Sequence, residues 1–148
     1  MGTRSTIAIE NADGSVTGIY CHWDGYFSHN GRILAENYTT ADQVLELIAL
    51  GDISVLRPEI GEQHPFDTYH LSESEIDPRW AGWVSAYGRD RGETGVEART
   101  AHNWRQFCAE NGQEYDYLFT PGAGWQVSSN HRGVHQLTDA LQPETETE

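Results

Sequence analysis

The chain predicts an α+β fold, an antiparallel sheet with helices packed on one face, in a single domain. Three observations predict it: strand-like alternation at both ends, helix-start signals between them, and no repeat or linker in 148 residues. A hydrophobic content of 37% and an aromatic content of 11% suit one core of ordinary size. The domain is placed at 1–142, and the terminal PETETE, 143–148, reads as a disordered, dispensable acidic tail.

Residues 3–10 (TRSTIAIE) and 15–23 (SVTGIYCHW) read as strands joined through Asp13-Gly14, a good hairpin signal. Along the second strand, Thr17, Ile19, Cys21 and Trp23 alternate with Val16, Gly18, Tyr20 and His22, and the Trp23 set is the better core face. Ser28 is placed to cap a short helix to about Tyr38, with Ile33 and Leu34 inward. A second helix follows: Thr40-x-x-Gln43 resembles a capping box, Val44, Leu47 and Ile48 form a stripe, and Gly51 ends it. Residues 52–79, with Pro58, Pro65 and Pro78, form an irregular segment long enough to be functional or mobile. Residues 80–93 read as a strand ending in charges. Thr94-x-x-Glu97 opens a helix to about Glu110 with Ala101, Trp104 and Cys108 on one stripe, ended by Gly112. YDYLFT and GWQVSS across Pro-Gly-Ala-Gly make a final hairpin.

Composition excludes several function classes. A net charge of −14 argues against direct, sequence-independent nucleic acid binding, which depends on neutralising phosphates. It leaves simple solubility, or an acidic surface that mimics DNA to a basic partner. No apolar run approaches a membrane span, and no signal-peptide h-region opens the chain. Cys21 and Cys108 lack metal-type spacing and read as free buried thiols in a reducing compartment. All nine basic residues are Arg, so every cation is a planar fork suited to carboxylate or phosphate.

Two clusters could carry chemistry. In YCHWDGYFSHNG, residues 20–31, His22 and Asp24 leave the strand end on one side, Gly25 breaks it, and Tyr26, His29 and Asn30 lie in the turn beyond. A ligand site there competes with an architectural reading, in which Asp24 caps local backbone, His22 bonds to it and the aromatics are core. A metal site is weaker, since H-x-D-x₄-H is no established spacing. In YGRDRGE, residues 87–93, an extended backbone puts Arg89, Arg91 and Glu93 on one face; two guanidinium groups beside glycines suit a phosphate. The competing reading is an Arg–Asp–Glu ladder of ion pairs. Arg4 joins through pairing of the first two strands. Nucleotide, metalloprotease and nucleophile-elbow motifs are absent, and no cofactor is expected; His22 with Asp24 as orienter remains a candidate general acid–base.

"MGTRS", "YCHWDGY…NGRIL…Y", "LIALGDIS" and "YGRDRGE" together resemble a widespread family of small, mostly uncharacterised tailed-phage proteins, over residues 1–60 and 80–120. Phe27 stands where that family usually has Pro. The resemblance implies a phage accessory protein in the host bacterial cytoplasm, a class that often counters host defence. On that basis Arg4, His22, Asp24, Tyr26, Asn30, Arg89, Arg91 and Glu93 are expected to form a pocket that sequesters a nucleotide-like immune signal: aromatics for a base, Arg for phosphates, carboxylates for ribose. The alternatives are a phosphodiesterase with His22 as acid/base, and an acidic DNA mimic. The expected partner is a nucleotide-like small molecule, with no membrane; homo-oligomerisation is left open.

Overall fold

The computed structural model describes residues 2–129 and 135–137. The chain begins with a hairpin of β1 (Ser5–Glu10) and β2 (Val16–Cys21), in whose turn the Asp13 carboxylate accepts from the Ser15 N–H and hydroxyl. A π-helical turn at Phe27–Gly31 runs into α1 (Arg32–Asn37), followed by α2 (Ala41–Ile48) and β3 (Ile53–Val55). After the irregular segment come β4 (Ser85–Ala86), α3 (Tyr87–Arg91), β5 (Arg99–Ala101) and α4 (Trp104–Asn111). A hairpin of β6 (Tyr115–Thr120) and β7 (Gly124–Ser129), with β8 (His135–Gln136) beside it, completes the described residues.

The strands form one sheet in the order β4-β3-β2-β1-β6-β7-β8. The far edge of β2 is shared end to end: β5 pairs with Val16–Gly18 and β3 with Cys21. The α+β class is as the sequence predicts, with two differences of detail. The sheet is mixed, because β1–β6 and β2–β3 run parallel. Helices also lie on both faces. On one, α1 and α2 bury Leu34, Val44, Leu47 and Ile48 against Ile7, Ile19, Cys21, Tyr117 and Val127. On the other, α4 lays Phe107 over Ala8, Val16 and Leu118. Each such aliphatic side chain removed from water contributes about 1.5–3 kcal/mol. Both alternating sets of β2 are therefore buried, and the alternation could identify faces without saying that only one is covered. Among the described residues no helix is long and apolar enough to cross a membrane.

Local chemistry explains which helices form. The Thr40–Gln43 capping box closes reciprocally, with the Thr40 hydroxyl accepting from the Gln43 N–H and the Gln43 side chain from the Thr40 N–H. Gly51 then takes φ +78°, where a Cβ would meet the Val96 carbonyl at 2.4 Å. That same carbonyl accepts from the Asp52 N–H at 2.7 Å, which holds residues beside Thr94–Glu97 against β3. The expected helix start at Thr94 is thus overturned: α4 begins nine residues later, capped by Asn103, whose side chain accepts from the Gln106 N–H at 2.8 Å. Ser28 likewise caps nothing; Tyr26 occupies the cap position without a side-chain bond. The tail lies outside the described residues.

Candidate ligand-binding site

Residues 87–91 are helical, so the extended face expected to present Arg89, Arg91 and Glu93 together is not formed, whereas the ion pairs of the competing reading are: Arg89 with Asp90 and Arg91 with Glu93. The cause is Asp90, fully buried, whose carboxylate accepts from the Ala86 N–H at 2.8 Å and the His64 N–H at 3.1 Å and so fastens the turn from both sides. Gly92 at φ +74° closes it. Arg89 is consumed by this arrangement: it donates to Asp90, to the Ile60 carbonyl at 2.8 Å and to the Val84 carbonyl at 2.7 Å. Its side chain is a structural clamp, not a free anion ligand. Arg91 projects outward, pairs with Glu93, and lies over the rings of Phe66 (4.4 Å) and Tyr87 (5.0 Å).

The 20–31 segment also differs from expectation. The His22–Asp24 pair is absent; His22 Nδ1 instead meets the Tyr20 hydroxyl at 2.8 Å. Both project from one face of β2, and the chain turns at Asp24, which takes φ +57°. There the Asp24 carboxylate accepts from the Tyr26 hydroxyl at 3.3 Å, and its charge holds that phenol above its ordinary pKa. Asn30 is fully buried, its amide donating to Ser5 Oγ at 3.1 Å and Cys21 Sγ at 3.4 Å. It anchors the turn to the hairpin and is not a ligand contact. Trp23, expected in the core, is 40% exposed: it lies beyond the end of β2, with its N–H on the Ser54 carbonyl and its ring against His22 and Gly2.

What joins the two segments is Asp52, at the head of β3. Its Oδ1 accepts from the Tyr20 N–H at 2.9 Å, and Arg99 of β5 grips both carboxylate oxygens at 2.7 and 2.8 Å. Its carbonyl accepts from the Tyr87 N–H at 3.3 Å, so one residue fastens β2, β5 and α3 together. Burial raises the Tyr20 phenol, the Arg4 charge opposes the rise, and the Tyr87 phenol adds to it. Arg4 and Tyr87 therefore each act on Tyr20, with His22 bonded to Tyr20 and Arg91 stacked on Tyr87. Beside them, Tyr20, Asp52, Arg99, Glu110 and Asn111 line a cavity of about 240 Å³.

The structure thus brings His22, Arg91 and Glu93 to the β2–β3–α3 corner, keeps Arg4 just ahead of β1 with its backbone bonded to Glu114 and Tyr115, leaves Asp24 and Tyr26 on the adjoining turn, and turns Asn30 and Arg89 inward. Sequence reasoning missed Tyr20, Asp52, Tyr87 and Arg99 as members. Tyr20 and Tyr87 lie inside the two quoted motifs and could have been singled out; Asp52 and Arg99 carry no local signal, since only strand order makes them meet. Among the described residues no group of three His, Cys, Asp or Glu side chains could hold a metal ion. No family model matches the chain, and neither a curated protein nor a solved structure does.

Proposed function

We propose that this protein binds and sequesters a nucleotide-like host immune signal, as a phage counter-defence protein acting in the bacterial cytoplasm. The observation that carries the reading is the meeting of residues 20–22 with residues 87–93 around Asp52, which puts Arg91 and the Tyr20 and Tyr87 rings on one corner. Arg4 and Arg91 supply charge for phosphates, and Tyr20, Tyr87 and the half-exposed Trp23 supply ring faces. Glu110 and Asn111 in the neighbouring cavity offer acceptors for ribose hydroxyls. Binding is favoured over cleavage because His22 bonds to a phenol and lacks a carboxylate to orient it and stabilise its protonated form. The phage setting rests on the motif resemblance.

The test is mass spectrometry of small molecules released on denaturing the purified protein, beside thermal shift with cyclic dinucleotides, cyclic ADP-ribose isomers and inorganic phosphate. An intact nucleotide is the expected release. At 100 times its dissociation constant a ligand should stabilise the protein by about 2.7 kcal/mol. An Arg4→Ala/Arg91→Ala double variant should lose that gain. If no compound stabilises the wild type more than the double variant, the reading fails; recovery of hydrolysis products would replace sequestration with cleavage.

A further inference from the structure

The irregular segment before β4 holds a second polar centre, tied to α3 through Asp90. His64 is almost completely enclosed, its side chain 3% exposed. Trp80 stacks on its ring at 6.2 Å between centroids and Trp83 meets it edge-on at 5.6 Å, so the imidazole has a fixed plane. Its Nδ1 lies 2.8 Å from the Glu62 carbonyl, which can only accept; Nδ1 therefore carries the proton. The buried Asp90 carboxylate, 3.5 Å away, favours the same tautomer. In the neutral ring, Nε2 is left with its lone pair, and His64 lines a cavity of about 270 Å³.

The rest of that cavity has a consistent chemistry. Phe66 and Trp80 provide ring walls, Thr68 and Ser85 provide hydroxyls, Arg57 lines it as well, and the one carboxylate in the lining, Asp77, is paired with Arg79. Among the described residues the Arg57 guanidinium has no ion pair or hydrogen bond; the Arg57 carbonyl alone is engaged, by the Tyr38 hydroxyl at 2.9 Å. A guanidinium without a partner among the described residues, flat aromatic walls and a pre-oriented acceptor ask for complementary features in one molecule: an anion, a planar ring and an N–H on the ring edge.

We propose that this cavity is a binding site for a nucleoside monophosphate, with Arg57 taking the phosphate, Trp80 and Phe66 flanking the base, and His64 Nε2 accepting from the base edge. The site is distinct from the Arg4–Arg91 corner and does not depend on it. The two adjoin through Phe66, whose other contacts are Tyr87 and Arg91.

The test uses the full chain, titrated with AMP, GMP, CMP and UMP by calorimetry and tryptophan fluorescence, with the matching nucleosides and inorganic phosphate in parallel. At least one mononucleotide should bind and perturb the fluorescence, because Trp80 lines the cavity. Arg57→Gln, which breaks no ion pair or side-chain hydrogen bond among the described residues, should keep the wild-type melting temperature and weaken binding about tenfold or more, as should removal of the phosphate. His64→Gln, checked for folding by its melting curve, should change the preference among the bases. Arg4→Ala, at a residue outside the cavity lining, should bind mononucleotide like the wild type. The proposal is overturned if no mononucleotide binds up to roughly 5 mM, or if Arg57→Gln binds as tightly as the wild type. Binding lost in Arg4→Ala but kept in Arg57→Gln would move the ligand to the corner, overturning the cavity while supporting the first reading.

Discussion

Asn30 donates from one buried amide to both Ser5 and Cys21, while its carbonyl oxygen lies 2.9 Å from His29 Nδ1. Replacing it by Ala leaves those groups enclosed without their partner, which costs about 1–3 kcal/mol. Trp23 contrasts with it: with two-fifths of its surface exposed, Trp23→Ala should cost well short of the roughly 3–5 kcal/mol of an emptied aromatic core site, and less than Asn30→Ala. Melting curves of the two variants check the order, and a larger loss for Trp23→Ala would refute it. Cys21 makes a pH-dependent contribution. Burial is the main cause that lifts its thiol from 9.0 to about 11, so the unfolded chain ionises first. A raised folded pKa means stability that is fully present below the unfolded value, near pH 9, and is lost as pH rises toward 11. By pH 11 the loss from this thiol is about 2 kcal/mol. Urea unfolding between pH 8 and 11 should show a shallower decline in Cys21→Ala than in the wild type, whatever the two stabilities at pH 8.

At the scale of elements, the close packing of α4 on β2 depends on Gly18. A Cβ there would lie 2.6 Å from Phe107 Cζ, 2.7 Å from Ala8 Cβ and 2.9 Å from the Ile7 carbonyl. Gly18→Ala should therefore destabilise by about 1–3 kcal/mol, and Phe107→Leu, costly by itself, should cost less in the Gly18→Ala background. Additive losses would show that α4 shifts freely over the sheet. Helix caps give a second comparison: Asn103→Ala should lose about 1 kcal/mol, whereas Thr94→Ala should be nearly silent because no helix starts there. Elements stabilised by their own sequence were legible in advance: both hairpins, and α2 with its capping box and Gly51. Those fixed by distant partners were not. Helix α3 contains a glycine and spans five residues, and it forms because buried Asp90 reaches back to Ala86 and across to His64. The Thr94–Glu97 pattern matched a capping box, but Asp52 takes the Val96 carbonyl first. The candidate site followed the same division: its Arg and aromatic content was visible, and its assembly around Asp52 and Arg99 was not, since it needs the β1–β2–β3 order and β5 on the same edge.

For the whole molecule, the balance between local cations and a net charge of −14 decides how ionic strength acts on binding, and this separates the proposed function from its rivals. An anionic ligand approaching the Arg4–Arg91 corner meets long-range repulsion from the protein and short-range attraction from two guanidinium groups. Salt screens interactions beyond about 10 Å at 0.1 M and affects contacts near 4 Å much less. Raising salt from about 0.02 to 0.2 M should thus remove more repulsion than attraction, so association speeds up or holds constant while dissociation changes little. An acidic DNA mimic acting on a basic protein has the opposite sign, because its long-range term is attractive and screening slows its capture. Direct nucleic acid binding through the same arginines would also weaken steeply with salt. Stopped-flow association of a bound nucleotide across that salt range decides the matter by sign alone. A rate that falls severalfold would mean that the field at the corner is positive despite the net charge, and the sequestration reading would have to give way to one in which the acidic surface faces a basic partner elsewhere.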